Sequence, residues 1–264
     1  MTKLFSRVLL ALVLFAFAGT SLAADEVSML RAQSIVSSKY GMSAQNAVFD
    51  VLVKDLASDK TVTIVIGTED DNWLELPATY KHSTEDGREF WRARYSGDSW
   101  WGQGPISDLT WAVKYEVDGQ VYWDNNNGQN YFIAANSGSQ LFGVNLANAT
   151  HTAQVNLSQG QNLHGRVTLN NLGPDKQVQV VYSTDGWATT QTADARFGGP
   201  WFWFSSYSSA SNPNPYGFEE WVYELKLDGA TTVEYAISYT VNDQTYWDNN
   251  FGRNYVETIN YFSP

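Results

Sequence analysis

The sequence predicts an all-β protein made of two antiparallel β-sandwiches in tandem. Three observations carry this. Short alternating runs rich in Val, Ile, Tyr and Trp recur between clusters of Gly, Asn, Asp and Pro, the pattern of half-buried strands and their turns. No convincing amphipathic helical stretch interrupts them. The chain also repeats itself, because residues 122–131 read YWDNNNGQNY and residues 246–255 read YWDNNFGRNY, eight identities in ten at an offset of 124 residues.

The first segment of the chain stands apart from this pattern. Lys3 and Arg7 lead into an apolar run from Val8 to Ala18, and Ser21-Leu22-Ala23 supplies small residues at the spacing a signal peptidase reads. Residues 1–23 are therefore expected to be a secretory signal peptide, and the protein to be exported, either secreted or periplasmic. The run has 11 residues, short of the roughly 20 that a spanning helix needs, so no membrane span is expected.

Composition narrows the function classes. With 16 basic against 28 acidic side chains the net charge is −12, and no Lys/Arg cluster exists to recover counterion free energy from nucleic acid. The absence of cysteine removes disulfide frameworks, thiolate metal sites and cysteine nucleophiles. Asn148-Ala-Thr150 and Asn156-Leu-Ser158 match the glycosylation pattern, which also occurs easily by chance.

The two copies are then read in order. VLVKDLASDKTVTIV (51–65) aligns with VTLNNLGPDKQVQVV (167–181), and each leads through an acidic turn to a Trp, at Trp73 and Trp187. Strands are expected at Thr61–Ile66, Trp91–Tyr95 and Trp111–Val117 in the first copy, and at Gln177–Tyr182, Trp221–Leu227 and Tyr235–Val241 in the second. Ala134–Gln140 is small and polar, the composition of a linker or loose turn. The boundary is placed there, giving halves of residues 24–137 and 138–264.

The hairpins decide which tryptophans face outward. A two-residue turn at Asp118-Gly119 pairs Tyr115 with Tyr122 and Lys114 with Trp123. Because side chains alternate between faces, Trp111, Val113, Tyr115, Val117 and Tyr122 then point inward, and Trp123 shares the polar face with Ala112, Lys114 and Glu116. The turn at Asn242-Asp243 repeats the result for Trp247. Trp73 and Trp187 are expected in loops. Exposed indoles beside Asn-rich turns suit a sugar ring, whose C–H face stacks on an aromatic plane while its hydroxyls need paired donors and acceptors. The same Asn run would also build a tight turn whose amides bond their own backbone, and the two roles are compatible.

With these residues in view, each copy resembles a carbohydrate-binding module of family 21, the starch- and glycogen-binding type. The resemblance rests on the early strand pair, the Trp after an acidic turn and the aromatic-Asp-Asn-Asn with its closing Asn-Tyr, and it covers nearly the whole chain after residue 23. It implies immunoglobulin-like sandwiches that bind α-1,4-glucans without catalysis. The family's first glucan site falls on Trp73, Trp123, Asn125 and Asn130, and on Trp187, Trp247, Asn249 and Asn254. A third aromatic of that site aligns with Ala112 and Ala236, implying a smaller platform. A candidate second site falls on Lys60 with Tyr80 and on Lys176 with Phe197, although its early-loop Tyr is replaced by Ser58 and Pro174.

Two further segments complete the reading. Trp201, Phe202, Trp203, Phe204, Tyr207, Tyr216, Phe218 and Trp221 crowd one stretch of the second copy; part of it is expected in the core, while Tyr207 and Tyr216 either extend a glucan surface or, the preferred reading, bury a contact between the halves. The acidic groups Glu69-Asp70-Asp71 and Glu219-Glu220 could in principle serve glycoside hydrolysis, yet they are not equivalent between copies and read as solvated turn charges. No His-Glu-x-x-His, Gly-x-Ser-x-Gly or phosphate loop is present. The expectation is a non-catalytic protein without metal or cofactor, whose partner is an α-1,4-glucan, with a separate amylolytic enzyme as a further candidate partner. The alternative is a structural or protein-interaction sandwich that kept the fold without sugar binding.

Overall fold

Alternation of apolar and polar residues closes the chain into four antiparallel sheets, seen in a computed structural model that describes residues 26–67, 73–98, 102–149, 154–156, 162–199 and 208–259. The first half holds β1 (Val27–Lys39), β2 (Met42–Lys54), β3 (Lys60–Gly67), β4 (Trp73–Pro77), β5 (Thr79–Ser83), β6 (Arg88–Gly97), β7 (Leu109–Val117), β8 (Gln120–Asp124), β9 (Tyr131–Ile133) and β10 (Gly138–Leu141). One of its sheets runs β10-β1-β2-β6-β5 and the other β4-β3-β7-β8, with β9 also on β7.

The second half repeats the plan. It holds β11 (Leu146–Asn148), β12 (Gln154–Asn156), β13 (Asn162–Asn170), β14 (Lys176–Ser183), β15 (Gln191–Asp194), β16 (Arg196–Phe197), β17 (Phe218–Lys226), β18 (Thr232–Val241), β19 (Gln244–Asp248) and β20 (Tyr255–Thr258). Its sheets run β11-β13-β17-β16, with β12 on β13, and β15-β14-β18-β19, with β20 on β18. Among the described residues there is no helix.

Each half buries its own core. Phe49, Ile64, Ile66, Trp111, Val113 and Tyr115 fill the first and Leu163, Val167, Val180, Tyr235, Ile237 and Tyr239 the second, each side chain contributing about 1.5–3 kcal/mol where it leaves water. The hairpin register is the expected one, with Lys114 opposite Trp123 and Ser238 opposite Trp247. Both turns are of the left-handed type that matches strand twist, with positive φ at Asp118 and Gly119 and at Asn242 and Asp243.

The segment read as a loose linker is ordered instead. β10 pairs with β1 through Arg31–Leu141 to Ser34–Gly138, and Ser137 and Ser139 are buried. Small polar side chains look like a linker in composition, but here they let an edge strand sit close beneath the second half. A boundary at residue 138 therefore cuts off a strand that belongs to the first half's sheet.

The two halves are docked against one another. Tyr216 packs against the first core and its hydroxyl accepts the Ala134 N–H at 2.9 Å, in line with the expected contact. Asn214 donates to the Ser139 carbonyl at 2.6 Å, and Ser208 pairs with Ser37. Trp201, Phe202, Trp203, Phe204 and Tyr207 lie outside the described residues, as do residues 1–23 and Glu69-Asp70-Asp71. Glu219 and Glu220 are not solvated turn charges. Both are buried on β17, Glu219 paired with Lys176 at 2.9 Å and Glu220 with Arg166 at 3.6 Å.

Candidate functional site

Strand register lays the predicted residues on the solvent face of one sheet in each half. In the first, Gly67 pairs with both Trp73 and Thr110, and Thr110 pairs with Phe132. One row across the sheet thus reads Trp73, Gly67, Thr110, Phe132. Two and four residues further along β7 on the same face come Ala112 and then Lys114, which is opposite Trp123. Trp73 is the first residue of β4 and not a loop residue, because its backbone pairs with Gly67. A Cβ at Gly67 would come within 3.1 Å of the Trp73 ring, so the missing side chain lets the indole lie across β3.

Two of the ring surfaces on this face are open to solvent. Trp73 is 46% exposed and Phe132 49%, while Trp123, expected to be exposed, is half-buried. Phe132 was missed in the sequence because it follows the motif's closing Tyr on a strand of only three residues. Period two from the inward Tyr131 would have found it. Ala112 is buried, so the face gains an aromatic at Phe132 where it lacks one at Ala112.

The second half builds the same face with different support. Val181, Ala236, Ser238 and Trp247 share it, and Trp247 is 57% exposed. Trp187 arrives from the β14–β15 turn at a φ of 67°, its N–H donating to Ser183 Oγ at 2.9 Å. Asp185 braces that turn by accepting the Thr189 N–H at 3.0 Å. Those donated bonds, first the backbone N–H and then the hydroxyl of Thr189, hold its carboxyl below the usual range.

The Asn-rich turns are largely self-bonded. Asn125 and Asn249 accept the N–H of Gly128 and Gly252 at 2.9 and 3.0 Å, and Asn126 and Asn250 donate to the carbonyls of Asn130 and Asn254. Positive φ at Asn126, Asn127, Asn130, Asn250 and Asn254 explains the residue type, since Asn tolerates the left-handed region. This leaves the Nδ2 groups of Asn125 and Asn249 directed to neither turn carbonyl nor carboxylate among the described residues. Asn254 donates to Glu234 at 2.6 Å, whereas no partner is seen for the Asn130 amide among the described residues.

The motif's Asp and Tyr carry the turn. Asp124 accepts the Tyr131 hydroxyl at 2.8 Å and the Met29 N–H of the opposing sheet at 2.7 Å. Asp248 repeats this with Tyr255 at 2.8 Å and the Asn148 N–H at 2.6 Å. Burial, reinforced by the carboxylate charge, pushes the Tyr131 and Tyr255 hydroxyls well up, so both remain protonated donors. Burial likewise raises Asp248. Each pair staples the Asn-rich turn to the other sheet of its sandwich.

The residues of the candidate second site also come together twice. Tyr80 packs edge-on against Trp91 at 5.7 Å, Trp91 Nε1 donates to Glu89 at 3.0 Å, and Glu89 pairs with Lys60. Phe197, Trp221, Glu219 and Lys176 repeat the chain, with ring centroids 6.3 Å apart. The Lys60 and Lys176 side chains are only 6% and 7% exposed, so their ammonium groups are structural cations behind exposed rings. Burial works to lower Lys60, but the Asp55 and Glu89 carboxylates outweigh it and hold its pKa above the usual value. The tryptophans and glutamates of this chain were not assigned to the site from sequence; their shared Glu-x-Trp spacing was the available signal.

Aromatic rings on the solvent face of an antiparallel sandwich, beside an amide-rich turn, are the equipment of a sugar-binding module. The profile of the carbohydrate/starch-binding module family 21 matches residues 30–134 and again residues 144–257, and the chain belongs to that family. It is 28% identical to glucoamylase 1 of Rhizopus oryzae over 118 residues, 43% of this chain and 18% of the glucoamylase. Protein phosphatase 1 regulatory subunit 3C of Clarias batrachus is 28% identical over 98 residues, 37% of this chain and 32% of that protein. Glycogen-binding subunit 76A of Drosophila melanogaster is 28% identical over 112 residues, 42% and 14% of the two chains. The chain thus spans a third or less of these relatives' own length. The starch-binding domain of Rhizopus oryzae glucoamylase, solved with β-cyclodextrin and maltoheptaose, is 25% identical, with 44% of this chain and 99% of the domain covered at a TM-score of 0.31.

Proposed function

We propose that this is an exported, non-catalytic protein that binds α-1,4-glucan through both halves, acting on polysaccharide that a separate amylolytic enzyme also uses. The observation that carries the reading is the repeated solvent face, with Trp73, Phe132 and Trp123 on one half and Trp187 and Trp247 on the other. Flat rings contribute burial against the C–H face of glucose with little rotamer entropy lost, and the side-chain amides of Asn125, Asn130 and Asn249 in the neighbouring turns are offered to its hydroxyls, whereas that of Asn254 donates to Glu234. Export rests on residues 1–23 alone. The candidate second site contributes Tyr80 and Phe197 as additional ring surfaces, with Lys60 and Lys176 positioning them.

The test is affinity electrophoresis through gels containing amylopectin, glycogen, dextran or cellulose. Retardation by amylopectin and glycogen only, lost when Trp123 and Trp247 are both replaced by Ala while the melting temperature holds, is the expected result. Equal migration in every gel would refute glucan binding and favour a protein partner.

A further inference from the structure

The two solvent faces are not equivalent, because the second opens onto the first half. A cleft of about 720 Å³ lies between the halves, and Trp247 and Asn249 line it on one side while Lys81, His82, Phe90 and Arg92 line it on the other. The opposing wall is itself a stack. His82 and Phe90 lie parallel at 5.2 Å between centroids, and the Arg92 guanidinium sits 5.3 Å from the Phe90 ring. Arg92 is locked by Asp50, to which its Nη2 donates at 3.1 Å. The Arg92 guanidinium is therefore held over Phe90 by protein contacts alone.

The docking that forms the cleft uses the two positions at which the repeated decapeptide differs. Phe251, which replaces Asn127, lies 5.5 Å from the Arg88 guanidinium and its carbonyl accepts the Glu85 N–H at 3.2 Å. Arg253, which replaces Gln129, donates to the Ser83 carbonyl at 2.8 Å. Gly252 between them sits so close to the Glu85 carboxylate that a Cβ would collide with it. Phe251 holds a φ of 56°, unfavourable for a bulky side chain, and its contact with the first half is what the position gains in return.

We propose that this cleft is a composite binding site for a single α-glucan chain, gripped between Trp247 of the second half and the Phe90–His82 stack of the first. The inference rests on the glucan reading above and adds a second wall to one of its two faces. Two aromatic plates bracket the apolar faces of glucosyl units, Lys81, Arg92 and Asn249 supply donors at their rims, and the volume is within the roughly 300–1,000 Å³ of ligand clefts. Trp73, Trp123 and Phe132 of the first half do not line this cleft. The two halves then serve different ends, the first as an open platform and the second as a slot that admits one strand.

The test is calorimetric titration of the full chain with maltoheptaose, in a background carrying Trp73→Ala, Trp123→Ala, Tyr80→Ala and Phe197→Ala so that the cleft is read without the other candidate ring surfaces. Phe90→Ala is expected to weaken binding roughly fivefold or more, and Trp247→Ala to abolish it. His82→Ala, at a half-exposed edge-strand position, gives the same direction if Phe90→Ala lowers the melting temperature. Unchanged affinity in both first-half variants, with Trp247→Ala still deleterious, would overturn the composite site and leave the glucan reading standing. Absence of maltoheptaose binding by the unsubstituted chain would overturn that reading and the slot with it.

Discussion

Replacing Asp124 by Ala tests whether the binding turn is held from behind. The substitution removes the acceptor of the Tyr131 hydroxyl and strands the Met29 N–H, in a residue only 3% exposed. A hydrogen bond to a charged group contributes about 1.5–3 kcal/mol and an unmet buried donor costs about 1–3 kcal/mol. Relief of carboxylate desolvation offsets part of this, leaving an expected loss of about 2–4 kcal/mol. With a urea slope of about 2 kcal/mol per molar, the midpoint falls by roughly 1–2 M. Tyr131→Phe should lose less, because Asp124 keeps the Met29 N–H, and the double variant should cost less than the sum of the two. Near-ultraviolet circular dichroism provides a local readout, since Trp111 stacks on Tyr131 at 5.5 Å. A midpoint shift below roughly 0.5 M for Asp124→Ala, or strict additivity with Tyr131→Phe, would refute the staple.

Two further outcomes follow from packing and charge. Gly165→Ala places a Cβ inside the Tyr223 ring on the paired strand β17, so the second half should lose at least about 2 kcal/mol in urea unfolding; a change within about 0.5 kcal/mol would show that the ring does not cover Gly165. Asp86 has its carboxyl held at about 2, below the usual 3.8, first by the hydrogen bond from Arg88 and then by that from Thr84. Its stabilising contribution is therefore present above pH 3.8 and is lost as pH falls through about 2. Carboxyl carbon resonances followed by pH titration should show this, and Arg88→Ala should return Asp86 towards 3.8.

Much of the fold was legible because β-sandwich patterning is local. Two residues at Asp118-Gly119 fix a hairpin register, and that register alone assigned Trp111 to the core and Trp123 to the opposite face. What escaped was set by pairing over long distances. β10 follows β9 in the chain yet pairs with β1, some hundred residues away in sequence, and small serines give no apolar signal for it. Asp124 was read beside a sugar-binding turn, but its partner Met29 belongs to the other sheet, which no local pattern reveals. Trp73 was assigned to a loop because the turn before it is acidic, whereas β4 begins at that residue. Alternation gave the exposure of Trp247, whereas Trp123 is half-buried; the wall facing Trp247 came from the packing of one sandwich on the other.

The absence of slack between the halves changes how cooperation on a polymer is to be counted. β10 ends at Leu141 and β11 begins at Leu146, and the docked turns fix orientation as well as spacing. Two modules on a flexible tether search for a second site by moving themselves, with a local concentration set by tether length. Under the proposed glucan binding, the search falls to the polysaccharide. A stiff or helical glucan segment either matches the fixed interval between the two faces or fails to bridge them, while a loose branch end must surrender its own conformational freedom to do so. A glucan binder built this way would measure the shape of its polymer, and the spread of affinities among glucans of identical linkage would become a record of their stiffness.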